Sequence, residues 1–135
     1  MNNEVNHPES SDLAAFLPPG PARVVDPLLA RIAAQAEAAD RTRSLDPALV
    51  EALKASDVLG LSASRRLGGG EVSILQLCRE LEAVAANCTS TAWTLWNHLV
   101  VFHLFVGCLG PEHEELLTEI VARHEWVCFP AGAGS

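Results

Sequence analysis

The stretch that decides the fold is residues 90–110, STAWTLWNHLVVFHLFVGCLG. From Ala83 to Pro111 the chain contains no Asp, Glu, Lys or Arg, yet this stretch includes two tryptophans, two histidines and an asparagine. Three structures accommodate such a composition: a membrane-spanning helix, a metal site, or a helix at the centre of a soluble bundle. They differ in what they require of the polar residues.

A membrane span is permitted by length alone, because about twenty apolar residues cross a bilayer. The composition argues against it. Asn97 and His98 lie near the middle of the stretch, where lipid offers polar side chains no hydrogen-bond partner. The flanks lack Lys and Arg anchors, and the downstream flank is acidic. We therefore expect no membrane contact.

A metal site is disfavoured by the spacing of the histidines. Two metal ligands on one helical face usually stand four residues apart. His98 and His103 are separated by five positions and therefore point about 140° apart on a helix. His113 and His124 belong to an acidic surface helix further along the chain. The sequence therefore predicts no metal.

A central helix is the remaining interpretation, since a helix that is apolar on all sides belongs in the middle of a bundle. Asn97 and His98 then need hydrogen-bond partners or must border a cavity. Two alternatives stay open. These side chains are satisfied polar groups of the core, or they line a ligand pocket with Trp93 and Trp96 as its flat walls.

Charge excludes one class of partner. The net charge is −8 with only nine Lys and Arg residues, whereas nucleic-acid binding requires clustered cations. An anionic membrane surface is disfavoured for the same reason. We expect no nucleic-acid partner.

The cysteines and the first residues bear on the cellular compartment. Cys78, Cys88, Cys108 and Cys128 contain no C-x-x-C pair, and we interpret them as small hydrophobic residues in a reducing compartment. The first residues, MNNEVNHPESSDLAAF, have neither the basic start nor the apolar stretch of a signal peptide. The expected location is cytoplasmic.

Start signals predict several helices after a disordered lead at residues 1–21. Asp26 and Asp46 each precede a proline, which is typical of the caps of the first two helices. Ser73 and Gln76 form a capping box for the third helix. Its apolar positions are predicted to share one buried face: Ile74, Leu77, Cys78, Leu81, Val84 and Ala85.

The rest of the chain completes an all-α prediction. The fourth helix begins at Ser90 and ends near Gly107–Gly110, and the fifth begins at Pro111. Residues 126–130, WVCFP, are a strand candidate, although nothing earlier in the chain supplies an obvious partner strand. Between the second and third helices, a buried extended segment is expected to contain Val58, Leu59 and Leu61.

A loop with sequence RRLGGGE follows at residues 65–71. No Lys follows the glycines and Glu71 would repel an anion, so a structural hinge is favoured over a phosphate-binding loop. Arg65 and Arg66 are either solvated loop residues or contacts for an anionic ligand.

Four segments, taken in order, resemble the N-terminal helical domain of acyl-CoA dehydrogenase-fold flavoproteins. They are residues 36–85 with the RRLGGGE loop, NCTSTAWTLWNHL at 87–99, LGPEHEELLTEIV at 109–121, and WVCFPAGAGS at 126–135. The resemblance implies an all-α N-terminal helical bundle domain at residues 22–124. Residues 125–135 would begin a middle β-domain that is otherwise missing from the chain.

The resemblance implies a flavin, FAD or FMN, and two branches of activity. Dehydrogenases of this fold oxidise acyl-CoA thioesters. Two-component monooxygenases use reduced flavin from a separate reductase to hydroxylate small substrates. STAW followed by His98, together with FPAGAG where dehydrogenases carry Thr-Glu-Pro, is more similar to the monooxygenase branch. Acyl-CoA dehydrogenation proper is the alternative.

The resemblance also assigns roles to individual residues. His98 would be the catalytic residue, facing the flavin or the substrate. The expected substrate-side residues are Trp96, Asn97, Arg65 and Arg66, and the expected flavin contacts are Phe129, Ala131 and Ser135.

The partners implied are the middle β-domain, the C-terminal helical domain and a flavin reductase. The substrate would be an acyl-CoA or another small molecule, and the complete enzyme a homotetramer. A site with one wall binds weakly, so we expect the chain alone to be inactive, as a fragment or one piece of a split enzyme. A non-catalytic helical interaction module is the rival interpretation.

Overall fold

The computed structural model of the chain describes residues 21–128. The predicted lead at residues 1–21 therefore lies outside the described residues except for Pro21. Five α-helices form within the described part: α1 Leu29–Thr42, α2 Pro47–Lys54, α3 Ile74–Ala85, α4 Thr89–Leu109 and α5 Glu114–Ala122. Short 3-10 turns occupy Asp26–Leu28, Asp57–Gly60, Arg65–Leu67 and Pro111–His113. The all-α prediction is confirmed.

Two of the predicted caps are present. The Asp46 carboxylate accepts hydrogen bonds from the amides of Ala48 and Leu49, at 2.8 and 3.1 Å, and so starts α2. Ser73 Oγ accepts from the Gln76 amide at 3.1 Å and starts α3. The second bond predicted for the capping box, from the Ser73 amide to the Gln76 side chain, is not formed. The Gln76 side-chain amide donates to the Glu80 carboxylate instead, and its oxygen has no partner among the described residues.

The predicted cap of α1 is wrong as well. Asp26 lies inside a 3-10 turn, and its carboxylate accepts from Arg23 Nε at 2.8 Å instead of from a helix amide. The α-helix begins three residues later, at Leu29. Pro27 fits the turn because it needs no amide hydrogen.

The core forms where α4 packs across α1 and α3. Val58, Leu59 and Leu61 are buried in it as predicted, but they lie in and after a 3-10 turn, not in an extended segment. The fully buried aliphatic side chains around them are Ile32, Leu49, Leu53, Val84, Leu95 and Leu99. A second, smaller cluster joins α4 to α5 through Phe102 and Leu117.

Helix α4 is not enclosed on all sides, which corrects the prediction. Its inner face buries Leu95, His98 and Phe102, whereas Trp93 is 65% exposed on the outer face and Leu104 is 55% exposed. With 21 residues and a mean hydropathy of 1.4, α4 is long and apolar enough to cross a membrane. One such helix is weak evidence for a membrane span, because the core helices of soluble proteins meet the same criteria of length and hydropathy. About a third of α4 is buried.

The buried face of α3 also differs from the prediction. Ile74 is 75% exposed and Cys78 is exposed, while Glu80 on another face is fully buried. The Glu80 carboxylate accepts hydrogen bonds from the amides of Val24 and Val25, at 2.9 and 3.0 Å. The segment before α1 packs on α3 at this point, and its amides need an acceptor. The buried face of α3 therefore contains Glu80, and it is not the face that the hydrophobic periodicity predicted.

The Glu80 carboxylate holds a third hydrogen bond, from Gln76 Nε2 at 2.6 Å. Three donors compensate for the cost of burying the carboxylate.

The cysteines are free within the described residues, and Cys88 alone among them is buried. Cys78, Cys108 and Cys128 are exposed, so only Cys88 takes part in the core as a small hydrophobic residue.

The chain leaves α5 through a Schellman turn. The amide of His124 donates to the Val121 carbonyl at 3.1 Å, and the amide of Glu125 donates to the Ile120 carbonyl at 3.0 Å. His124 has a positive φ of 52°, which this turn requires. Residues 126–128 adopt no strand, and no other strand exists between residues 21 and 128 to pair with them.

Replacing Glu80 by Ala should lower the free energy of unfolding by about 2–4 kcal/mol, because two buried amides lose their acceptor. Urea unfolding of the 135-residue chain measures the change. Glu82→Ala is the matched control, since Glu82 is exposed two residues further along α3, and it should change stability by less than about 0.5 kcal/mol. Equal effects of the two substitutions would contradict the assignment of Glu80 as an anchor.

Candidate functional site

A cavity of about 370 Å³ lies between the loop at residues 57–72, the inner face of α4 and the C-terminal end of α5. Its volume falls in the range of small-molecule pockets. His98 and Phe102 form the α4 side, and Val121 contributes from α5. The remaining walls are made by residues 65–71, here called the glycine loop, and by side chains after α5 that are described below.

The glycine loop is folded back on residues 60–63. The amides of Gly69 and Gly70 donate to the carbonyls of Ser64 and Gly60 at 3.0 and 2.9 Å, and the Val72 amide donates to Leu61 at 3.1 Å. These amides are unavailable to a phosphate, so the phosphate-loop alternative fails. The same bonds fix the loop, which argues against the predicted hinge.

Gly69 is required by a close approach of two backbone segments. A Cβ at this position would lie 2.3 Å from the Ala63 carbonyl oxygen. The neighbouring Gly68 has φ +89°, which L side chains rarely adopt. These two glycines allow the cavity wall to form.

His98 is the polar centre of the site and is 2% exposed. Its Nδ1 accepts a hydrogen bond from the Val127 amide at 3.1 Å. Its Nε2 lies 3.0 Å from the Leu59 carbonyl oxygen, which can only accept. Since an amide N–H can only donate, Nδ1 must carry the lone pair and Nε2 the proton. The arrangement therefore requires a neutral imidazole in one tautomer.

Burial reinforces the neutral state. Desolvation lowers the pKa of His98 below its ordinary value of 6.5, although the hydrogen bond to the Leu59 carbonyl acts in the opposite direction. The ring also packs beside Trp126, with ring centroids 5.7 Å apart, and beside Phe102 at 6.3 Å. Both ring nitrogens are occupied, so neither is open to a substrate in this structure.

Three further titratable side chains line the cavity: Asp57, His124 and Glu125. Asp57 and Glu125 are exposed and His124 is half-buried. Within residues 21–128 none of the three side chains makes a hydrogen bond or an ion pair, and no Lys or Arg is found in the lining. These carboxylates give the cavity an acidic rim that favours a neutral or cationic ligand over an anionic one.

The other residues predicted for the substrate side are not brought together with His98. Trp96 lies on the outer face of α4 and stacks on Trp93, with ring centroids 5.0 Å apart and an interplanar angle of 22°. Asn97 is half-buried and does not line the cavity. Arg65 and Arg66 are exposed, and Arg66 forms an ion pair with Glu114.

The predicted flavin contacts Phe129, Ala131 and Ser135 lie outside the described residues. Sequence reasoning did not identify the acidic rim, because Asp57 is distant in sequence from His124 and Glu125 and the three residues belong to no motif. The one available signal was the glycine triplet, whose position marks a close backbone contact. Residues 21–128 contain no group of three or more His, Cys, Asp or Glu side chains placed to hold a metal.

Comparison with known families bears directly on the fold. The family model described as acyl-CoA dehydrogenase, N-terminal domain, matches residues 22–115. The chain belongs to the acyl-CoA dehydrogenase family. The match includes the glycine loop, His98 and Phe102, and it ends before the α5 side of the cavity. No curated protein and no solved structure matches the chain.

The family generally binds FAD, and the cavity can be tested for its fit to that group. The phosphates of a flavin nucleotide need cations or free amides. The cavity lining has no Lys or Arg, and its loop amides are already used. The lining of this cavity therefore does not fit the phosphate-bearing part of FAD.

Gly69→Ala should lower the free energy of unfolding by about 1–3 kcal/mol, because the new Cβ overlaps the Ala63 backbone. The matched control is Gly107→Ala, where a Cβ meets nothing within 4 Å and the residue lies in α4. That change should raise stability by about 0.5–1 kcal/mol. Thermal and urea unfolding measure both; the same sign for both would contradict the close approach.

The pH dependence of stability should report His98. Its folded pKa lies below 6.5, so the stability due to the neutral ring is complete above pH 6.5 and is lost as pH falls through the folded pKa. The loss is about 1.4 kcal/mol per pH unit between those two values. Urea unfolding from pH 7 to pH 5 measures it.

The control for this measurement is His98→Asn, which removes the titrating ring. Asp57, His124 and Glu125 remain in both proteins, so their contributions cancel in the difference. A pH profile of His98→Asn that matches the original protein would contradict a neutral, buried His98.

Proposed function

We propose that the chain is the N-terminal domain of a flavin-dependent oxidoreductase, and that the His98 cavity forms the substrate side of its active site. The observation that carries this proposal is a cavity of about 370 Å³ with an acidic rim, inside a domain of the acyl-CoA dehydrogenase family. The flavin phosphates would be held outside this cavity, because its lining contains no Lys or Arg.

We further propose the monooxygenase branch, in which reduced flavin from a separate reductase supports hydroxylation of a small substrate. The lining supports a neutral or cationic substrate, since Asp57 and Glu125 carry its only formal charges apart from the histidines. An acyl-CoA carries several phosphate charges and fits this rim less well. Acyl-CoA dehydrogenation is the alternative activity within the family.

In this proposal His98 is a wall residue whose ring shapes the cavity while both nitrogens bind the backbone. The complete enzyme is proposed to be a cytoplasmic homotetramer containing a middle β-domain and a C-terminal helical domain. These components would supply the other walls of the active site.

A test begins with the complete polypeptide encoded by the reading frame that contains residues 1–135. Purified with FAD or FMN, it should bind flavin. With reduced flavin it should consume oxygen in a substrate-dependent manner. Reduction of an electron acceptor by acyl-CoA would select the dehydrogenase branch instead. Absence of both flavin binding and turnover would contradict the enzyme proposal.

Val72→Phe tests whether the cavity binds substrate, because Val72 lines it and a phenyl ring would fill part of its volume. In the complete enzyme KM should rise by about tenfold or more, since a loss of ~1.4 kcal/mol of binding is already tenfold. Val100→Phe, at a half-buried α4 position outside the lining, is the matched control. Equal KM values for the two variants would contradict the assignment of the cavity.

A second candidate function, a helical interaction module, is favoured by the exposed tryptophan stack. Trp93 and Trp96 present flat apolar rings to solvent beside the groove lined by Leu81 and Ala85. Exposed aromatic residues of this kind are enriched at protein interfaces. A complete polypeptide without flavin that captures a protein partner, with capture lost in Trp93→Ala, would support this function.

A further inference from the structure

Residues 125–128, here called the exit segment, follow α5 without regular secondary structure. The Schellman turn fixes only their first amide, through the bond from Glu125 to Ile120. Beyond that point the described backbone makes one further hydrogen bond, from the Val127 amide to His98 Nδ1 at 3.1 Å. The exit segment is therefore held by this hydrogen bond and by the packing of Trp126 and Val127 against the two core clusters.

The other nitrogen of the same ring binds the opposite wall of the cavity. Nε2 donates to the Leu59 carbonyl at 3.0 Å, within the 3-10 turn that carries Asp57. Nearby, Ser62 Oγ donates to the Leu99 carbonyl at 2.9 Å, which anchors the following loop to α4. One imidazole therefore connects two chain segments that lie far apart in sequence.

The two connected segments carry the carboxylates of the acidic rim. Asp57 precedes Leu59 by two residues, and Glu125 precedes Val127 by two residues. Trp126 lies between Glu125 and Val127 in the sequence, and its ring packs beside that of His98 with ring centroids 5.7 Å apart.

We propose that His98 is a positioning residue that joins the exit segment, at Val127, to the Asp57 turn, at Leu59, beside the cavity. This role replaces direct action on a substrate, because the two nitrogens that could act are both committed to backbone groups. Its importance for substrate binding rests on the proposed function, whereas the geometry itself does not.

Two amide substitutions separate the two bonds of the ring. In His98→Asn the side-chain oxygen can occupy the place of Nδ1 and accept from Val127, while the bond to Leu59 is lost. In His98→Gln the longer side chain can reach the place of Nε2 and donate to Leu59, while the acceptor for Val127 is lost. Both variants lose one hydrogen bond, so a purely structural role predicts equal effects.

Amide hydrogen exchange of the 135-residue chain, followed by NMR, gives the readout. Val127 protection, relative to Leu95 in the middle of α4, should fall about tenfold in His98→Gln and change by less than about threefold in His98→Asn. Equal losses in the two variants, or unchanged protection in His98→Ala, would overturn the proposal. These outcomes do not depend on flavin or turnover, so they are distinguishable from failure of the proposed function.

A measurement on the unsubstituted chain covers the case in which a variant does not fold. A scalar coupling between the Val127 amide nitrogen and His98 Nδ1 reports their hydrogen bond directly. Detection of the coupling supports the positioning role. Its absence, with Val127 otherwise ordered, would overturn it.

Discussion

The structure depends on one buried imidazole in one protonation state. His98 must donate through Nε2 to Leu59 and accept through Nδ1 from Val127, which only the neutral ring can do in this tautomer. An imidazolium would place a second donor against the Val127 amide, and a ring without partners would leave polar atoms in an apolar core. The two bonds join α4 to the Asp57 turn and to the exit segment, in addition to the apolar contacts of the two core clusters, and the cavity borders these parts.

The sequence supported much of the fold, for identifiable reasons. The sequence identified Asp46, which precedes a proline, and Ser73, which lies three residues before a glutamine, as helix caps. Each accepts a hydrogen bond from an amide two or three residues later, so the local sequence determines these helix starts. The uncharged stretch correctly predicted a helix that packs against several others. Asp26 failed as a cap because Arg23, three residues earlier, provides a competing partner.

The burial pattern was harder to predict, because it depends on long-range contacts. The buried Glu80 carboxylate accepts hydrogen bonds from amides 55 and 56 positions away in the sequence. No local pattern predicts that a carboxylate lies on the buried face of an amphipathic helix. The outward position of Trp93 and Trp96 has a related cause. Periodicity cannot choose between faces when both are apolar, and the face of α4 that is buried carries Leu95, Leu99 and Phe102 together with His98.

The candidate site was predicted only in part. His98 lines a cavity, so the two alternatives left open by the sequence are both partly realised: the ring is a satisfied core group and it also borders a pocket. Its catalytic role stays a prediction that the two occupied nitrogens do not favour. The acidic rim could not be predicted, since Asp57 and Glu125 approach the same cavity only after α4 and α5 have packed.

The protonation state of His98 is measured directly by the nitrogen-15 NMR spectrum of its side chain in the 135-residue chain at neutral pH. We expect a neutral ring with its proton on Nε2 and an unprotonated, hydrogen-bonded Nδ1. A ring protonated at Nδ1, or one that exchanges freely between tautomers, would contradict this expectation.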